Sequence, residues 1–501
     1  MPMEHLDVLI VGAGISGIGA AWHLQHRCPT KSWAILEGRG DIGGTWDLFR
    51  YPGIRSDSDM YTLGYSFKPW TDAKAIADAP AIMSYLRETA REHDIDRKIR
   101  FRQFVTAASW SSEDARWTVT VERRDADGQA EGTLQLTCGF LFMCTGYYNY
   151  AHGYEPEFPG SERFGGRIVH PQKWSDDVDY AGKRVVVIGS GATAVTLVPA
   201  MADEAAHVTM LQRSPTYVVA RPAEDGVANW LRAHLPAKLA YGLTRWKNVL
   251  FGQYFYGKAR KAPAQVKAFI LDQIRPLLGD EYVAKHFTPS YDPWDQRLCL
   301  VPDADLFEAI RAEKASVVTD EIETFTETGI RLKSGEHLDA DLIVTATGLE
   351  MQFLSDMAVT VDGEPVDLSS TLTYKGMMMS GVPNLAWSMG YTNASWTLKC
   401  DLTCGYVCRM LAHMDRTGQP IATPRLSESV EEEPIMTLTS GYVQRAIDKF
   451  PKQGSEAPWK LYQNYTLDLL TLKFGRVDDG VIEFARPRPG GREQASARAA
   501  A

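Results

Sequence analysis

Two glycine-rich segments carry the clearest chemistry in this sequence: Gly12-Ala13-Gly14-Ile15-Ser16-Gly17 and Gly189-Ser190-Gly191-Ala192-Thr193-Ala194. The first glycine of such a loop permits a tight turn, and the second lets backbone approach a pyrophosphate. A small third residue, Gly17 or Ala194, lets a helix pack closely on the preceding strand. The amides at the helix N-terminus then meet the phosphates. Two such loops predict two redox dinucleotides in one chain, with a hydride passing between them. Glu37 stands twenty residues after Gly17, where a carboxylate accepts hydrogen bonds from ribose hydroxyls. The second unit has Arg213 at the matching place, flanked by Ser214 and Thr216. A cation with hydroxyls there favours a 2′-phosphate, hence NADP(H) over NAD(H). The plainer reading is a solvated arginine in a binding loop.

The elements that must hold these loops are legible. Leu6–Val11 is an apolar run interrupted only by Asp7, as in a strand buried in a parallel sheet. A helical stretch through Ala20, Ala21, Trp22 and Leu24 follows, then a second strand at 33–37. Residues 117–121 alternate like a half-exposed strand before a turn at 125–128. The strand at 140–143 runs into Cys144-Thr145-Gly146, and Ile343-Val344-Thr345-Ala346-Thr347-Gly348 echoes that ending. Val185–Ile188 opens the second unit. Leu235, Leu239, Leu243, Trp246 and Leu250 fall at helical spacing.

The expected fold is α/β, with two Rossmann-type dinucleotide-binding domains and a helical insertion. The FAD-binding part comprises 1–149 and 345–487, and the NADP-binding part 150–224 and 292–344. The insertion occupies 225–291. Residues 488–501, rich in Gly, Ala, Arg and Pro, read as a disordered tail.

Composition limits the partners. A net charge of -10 argues against a nucleic-acid binder. Seven cysteines, three of them four residues apart at 400, 404 and 408, suggest packed thiols in a reducing compartment. The early first strand leaves no room for a leader, and no apolar run is long enough to span a bilayer. Cytoplasm is therefore expected. Basic and aromatic residues interleave over 230–261, which fits a packed helix with a solvated basic face or peripheral membrane contact. No metal site is expected, and oligomeric state is not legible.

A disulfide reductase would carry a cysteine pair near its flavin, and none lies within 40–60. That stretch reads Gly43-Gly44-Thr45-Trp46, then Arg50-Tyr51-Pro52-Gly53-Ile54-Arg55-Ser56-Asp57. Just before the second loop, Phe164, Gly166, His170 and Trp174 form a Phe-x-Gly-x-x-x-His-x-x-x-Trp pattern. Together these segments resemble the type I Baeyer–Villiger monooxygenases, a branch of the flavin-containing monooxygenases. The family often has Pro or Asp after the tryptophan; this chain has Ser175. Segments 286–289, 291–299, 374–378 and 390–399 are most similar to the ethionamide-activating subgroup.

The resemblance implies FAD and NADPH as cofactors. FAD would meet Gly12, Gly14, Ser16, Gly17, Glu37, Gly44, Thr45, Trp46 and Asp57. NADPH would meet Gly189, Gly191, Ala192, Thr193, Ala194, Arg213 and Ser214. Arg297, in its Tyr-Asp-Pro-x-x-Gln-Arg context, aligns with the family's catalytic arginine, and Asp57 would orient its guanidinium. A fixed cation there stabilises a flavin peroxide anion and its adduct with a carbonyl. Many relatives have a lysine just before that arginine; this chain has Gln296. His170 and Trp174, four residues apart, would share one face if the segment were helical, and the implied role is conformational. The implied reaction inserts one oxygen of O2 into a ketone to give an ester, with S-oxygenation of sulfides or thioamides beside it. The rivals are an S- or N-oxygenating enzyme without ketone insertion, and a flavin- and NADP-binding redox sensor.

Overall fold

The computed structural model describes residues 3–426 and 430–487. The tail assigned to 488–501 lies outside the described residues.

The first strand, β1 (His5–Val11), passes through the Gly12 loop into α1 (Ile15–Arg27) and returns as β2 (Trp33–Leu36). β1 and β2 pair in parallel, Val8 opposite Trp33. A meander follows: β3 (Gln103–Ser111), β4 (Arg116–Arg124) and β5 (Ala130–Met143). β5 is 14 residues long and pairs in two senses. Its beginning pairs antiparallel with β4, and its end pairs parallel with β1, Val11 opposite Met143. Alternate residues of β1 and β5 face two different cores. Val8, Ile10, Phe140 and Phe142 pack on one side, and Leu9, Val11, Leu141 and Met143 on the other. Burial on both faces explains the near-continuous apolar runs.

The second unit is a five-stranded parallel sheet. Its strands are β6 (Arg167–Val169), β7 (Arg184–Ile188), β8 (His207–Gln212), β9 (Ala315–Thr319) and β10 (Leu342–Thr345), in spatial order β9-β8-β7-β10-β6. β7 passes through the Gly189 loop into α2 (Ala192–Met201). Between β8 and β9 lie five helices: α3 (Gly226–His234), α4 (Ala237–Lys261), α5 (Pro263–Leu278) and α6 (Asp280–His286), and after them a short one at Asp305–Arg311. Leu235 falls outside the helical pattern read from the sequence, because the chain breaks before Pro236 and α4 starts at Ala237.

The chain then rejoins the first sheet. Ala358–Val361 pairs in parallel with β3, and β11 (Leu385–Trp387) with the end of β5. The helix α7 (Trp396–Thr417) covers α1. All seven cysteines are buried and unpaired. Burial pushes the Cys400 thiol up to about 12 and holds that of Cys404 well above the ordinary thiol range.

Candidate active site

The two glycine loops lean on matching strand ends. Gly12 has φ +102°, and a Cβ there would stand 2.5 Å from the Cys144 carbonyl oxygen. Gly189 has φ +133°, and its Cβ would stand 2.3 Å from the Ala346 oxygen. Only glycine fits either place. A Cβ on Gly17 would lie 1.8 Å from the Gly12 oxygen, so α1 sits hard against its own loop. Ala194 occupies the third place of the second loop and is fully buried. Both helices begin on bare glycine: Gly14 and Gly191 offer no side-chain cap, and neither first turn carries an acid. The leading amides are left for an anionic ligand.

The first loop opens onto a cavity of about 830 Å³. Gly12, Gly14, Ser16, Glu37, Gly44, Thr45, Trp46, Asp57 and Arg297 all border it, as do Ala192 and Thr193 from the second loop. Its size suits a large cofactor. Gly14 and Gly44 face each other across the entry, a Cβ on Gly14 lying 3.7 Å from the Gly44 Cα. This is a backbone-walled cradle that a dinucleotide pyrophosphate fits. Glu37 has a second task that the sequence did not disclose. Its carboxylate accepts from the Ala13 amide at 2.7 Å and the Arg39 amide at 2.8 Å, tying β2 to the loop. Burial raises its pKa, against the pull of those two amides. The Thr45 and Tyr150 hydroxyls stand 3.1 Å apart, and burial pushes Tyr150 up to about 12. Trp396 donates its indole N–H to the Ser16 hydroxyl at 2.7 Å.

Segment 50–57 carries contacts to the second unit. The Tyr51 ring packs in one apolar cluster with Ala194 and Val198 of α2. Gly53, at φ +73°, lies so close to α2 that a Cβ would stand 2.5 Å from the Ala200 Cβ. Arg55 pairs with Asp305, and Asp57 with Arg297.

Arg297 donates from Nη2 to the Asp57 carboxylate at 2.8 Å, with 32% of its own side chain and 38% of Asp57's exposed. The Asp57 charge holds the Arg297 pKa well above the ordinary arginine range; burial opposes this, and the phenols of Tyr147, Tyr442 and Tyr148 add to it. The guanidinium is therefore a permanent cation at the cavity wall. It also borders a small neighbouring cavity with Tyr147, Met389, Tyr391, Leu438 and Tyr442. These aromatic residues were missed from the sequence. Tyr391 and Trp396 lie within segment 390–399, but Tyr442 arrives from far along the chain with no local motif.

Arg213 and Ser214 are exposed at the end of β8, away from the large cavity. Arg213 has no carboxylate partner within salt-bridge distance among the described residues. The Ser190 hydroxyl reaches Thr216 at 2.7 Å, joining the glycine loop to that strand end.

The Phe164–Trp174 segment runs through β6, the edge strand of the second sheet. His170 and Trp174 do not share a helix face: a single 3-10 turn, Pro171–Lys173, separates them, with His170 capping it. Proline after His170 favours that extended cap over helix. The His170 Nδ1 accepts from the Gln172 amide at 3.2 Å, which leaves Nε2–H to donate to the Gly348 carbonyl at 3.3 Å. Burial lowers its pKa, so the ring stays neutral. A Cβ on Gly153 would stand 2.2 Å from that ring. Phe164 is buried, and a Cβ on Gly166 would lie 2.5 Å from the Asp341 oxygen. Trp174 is half-buried beside Tyr180.

Residues 7–272 match the flavin-binding monooxygenase-like family. The chain is 57% identical over 493 residues to the FAD-containing monooxygenase EthA of Mycobacterium tuberculosis, covering 97% of this chain and 99% of that one. It is 51% identical to the probable FAD-binding monooxygenase AlmA of Acinetobacter baylyi, covering 96% of each. In fold it is similar to a steroid monooxygenase solved with NADP, at a TM-score of 0.76 and 24% identity over 96% of this chain and 100% of that one. It is also similar to cyclohexanone monooxygenase, at a TM-score of 0.68 and 21% identity over 84% and 90%. The chain belongs to the flavin-binding monooxygenases.

Proposed function

We propose that this monooxygenase uses NADPH and O2 to insert one oxygen atom into a ketone, giving an ester, NADP+ and water. S-oxygenation of sulfides or thioamides accompanies it at the same site. The observation that carries this reading is Arg297, a permanent cation held at 2.8 Å by Asp57 in the wall of the cavity that the first glycine loop opens. FAD bound in that cavity supplies hydride acceptance from NADPH and activation of dioxygen.

The chain's residues do the rest. The bare N-termini of α1 and α2 bind pyrophosphates, and Glu37 holds the first loop while facing the ribose. Asp57 fixes the guanidinium of Arg297, which stabilises negative charge developing on a carbonyl oxygen under attack. Tyr51 and Gly53 seat the segment carrying Asp57 on α2, so nucleotide binding there is felt at Arg297. His170, neutral and bonded to Gly348, links the two interdomain crossings and acts by position rather than by proton transfer. Arg213 meets the 2′-phosphate of NADPH.

Product analysis tests the proposal. Purified enzyme with NADPH and FAD is given linear, cyclic and aromatic ketones and, separately, a sulfide. Esters formed with matching NADPH consumption are expected. Sulfoxide without any ester would replace the reading with S-oxygenation alone. No oxygen-dependent turnover would favour a redox sensor.

A further inference from the structure

The apolar stripe of α4 points outward. Leu239, Leu243, Trp246 and Leu250 are 51%, 46%, 43% and 54% exposed, while the buried face of the same helix is Ala240, Tyr241, Thr244, Arg245 and Val249. This inverts the usual arrangement, in which the apolar face of a surface helix turns to the core. Trp230 on α3 and Phe269 on α5 are 59% and 55% exposed. The last helical segment among the described residues is fixed to the flank of α4: the Tyr465 ring lies 5.9 Å from Trp246, and Gln253 bonds the Thr466 hydroxyl at 2.6 Å. That segment adds Leu470 and Phe474, 57% and 68% exposed. Exposed apolar residues this numerous mark a surface that something covers.

Charge says what. The whole chain has a net charge of -10, yet residues 226–271 hold eight Lys and Arg and not one Asp or Glu. Lys238, Lys258 and Lys261 are exposed and have no carboxylate within salt-bridge distance among the described residues, and the same holds for Lys473 and Arg476. A second copy of this chain would set these cations against each other across a two-fold axis, which repels. An anionic lipid surface satisfies both features, apolar side chains entering the acyl boundary and lysines meeting headgroups.

We infer that α4, with its neighbours α3 and 465–474, docks the enzyme peripherally on anionic lipid bilayers. No helix among the described residues is long and apolar enough to cross one, so the contact lies in the interface plane. The docking face stands one layer from the chemistry. Val249, on the inner side of α4, packs in one cluster with Tyr391, which lines the large cavity. A lipid-soluble substrate would thus have a short path from bilayer to site.

The test is co-sedimentation of the flavin-loaded, full-length enzyme with phosphatidylglycerol and with phosphatidylcholine vesicles. Binding to phosphatidylglycerol vesicles is expected, weakened by high salt. The triple variant L243S/W246S/L250S should weaken it roughly tenfold or more, and K238E/K258E/K261E should do so selectively for the anionic vesicles. Both variants should keep their flavin and their NADPH oxidation with a water-soluble substrate. Loss of flavin in the serine variant would pass the test to the lysine variant, whose sites are exposed. The inference is overturned if wild type ignores phosphatidylglycerol vesicles, or if neither variant alters binding. It is also overturned if the serine variant only converts a dimer to a monomer, since a second copy would then be the occupant.

Discussion

The two dinucleotide units share a plan and differ in tightness. In each, a parallel strand turns at a glycine whose Cβ would strike the neighbouring strand's terminal carbonyl, at Cys144 in one and Ala346 in the other. Past that point they diverge. The first loop is closed in: Gly17 leaves no room for a methyl group, Glu37 buries its carboxylate against the amides of Ala13 in the loop and Arg39 beyond β2, and the cavity surrounds the site. The second loop is open: Ala194 is accommodated, a Cβ on Gly191 would meet nothing within 4 Å, and Arg213 stands in solvent. An enclosed site suits a cofactor that stays through many turnovers. An open one suits a nucleotide that must enter and leave.

Breaking the tight unit should have the largest effect. Gly17→Ala drives a methyl into the Gly12 carbonyl, and the purified protein should lack flavin absorbance and all activity. Gly191→Ala, in the open unit where a Cβ meets nothing within 4 Å, should keep full flavin and only weaken nucleotide binding. A colourless Gly191→Ala protein, or a yellow, active Gly17→Ala one, would erase the contrast.

Arg297→Ala acts between the units. Flavin should remain bound, while ester formation falls by about 10²-fold or more, the scale for losing one preorganised charge at an oxyanion. Sulfoxidation should fall less. Near wild-type ester formation would show that Arg297 is not the stabilising cation.

Nucleotide choice sharpens the comparison. Glu37 in the first unit and Arg213 in the second occupy equivalent strand ends with opposite charge. Arg213→Ala should raise the Michaelis constant for NADPH by the equivalent of about 1–3 kcal/mol and leave that for NADH nearly unchanged. Gln296→Lys should strengthen the NADPH preference. Equal losses for both nucleotides in Arg213→Ala would mean that Arg213 holds the loop instead of reading the phosphate.

Acid should loosen the second unit through His286, whose Nδ1 lies 2.8 Å from the Thr319 hydroxyl. Burial lowers its pKa to about 4, from 6.5. A depressed histidine pKa means that the unfolded chain takes up the proton first. Its contribution is therefore complete above about pH 6.5 and is lost as pH falls toward 4. The loss is on the order of 1–3 kcal/mol. Denaturant midpoints measured across that window should fall less steeply for His286→Gln than for wild type. Smallest of all, Ala194→Gly should cost only about 1 kcal/mol of helix stability and spare activity. A large loss there would show that the open unit is as tightly fitted as the closed one.

The sequence alone determined the two loops, their strands and the acid and cation beyond them. These are local requirements: a tight turn needs glycine, a doubly covered strand needs an unbroken apolar run, and a pyrophosphate needs a bare helix end. It also brought Asp57 and Arg297 into view, though only through resemblance, since 240 residues separate them. Tertiary structure decided what depends on contact between distant segments. Glu37 as a brace for its own loop, Tyr442 beside Arg297, and Gly53 wedged on α2 have no local signature. The direction of the α4 stripe is the clearest case. Periodicity fixes that Leu239, Leu243, Trp246 and Leu250 share a face, because about 3.6 residues complete a turn. Which way that face points is set by what the opposite side buries, here Arg245 donating to the carbonyls of Tyr61 and Gly64 at 2.8 Å. Those carbonyls belong to a segment that only the folded chain brings near.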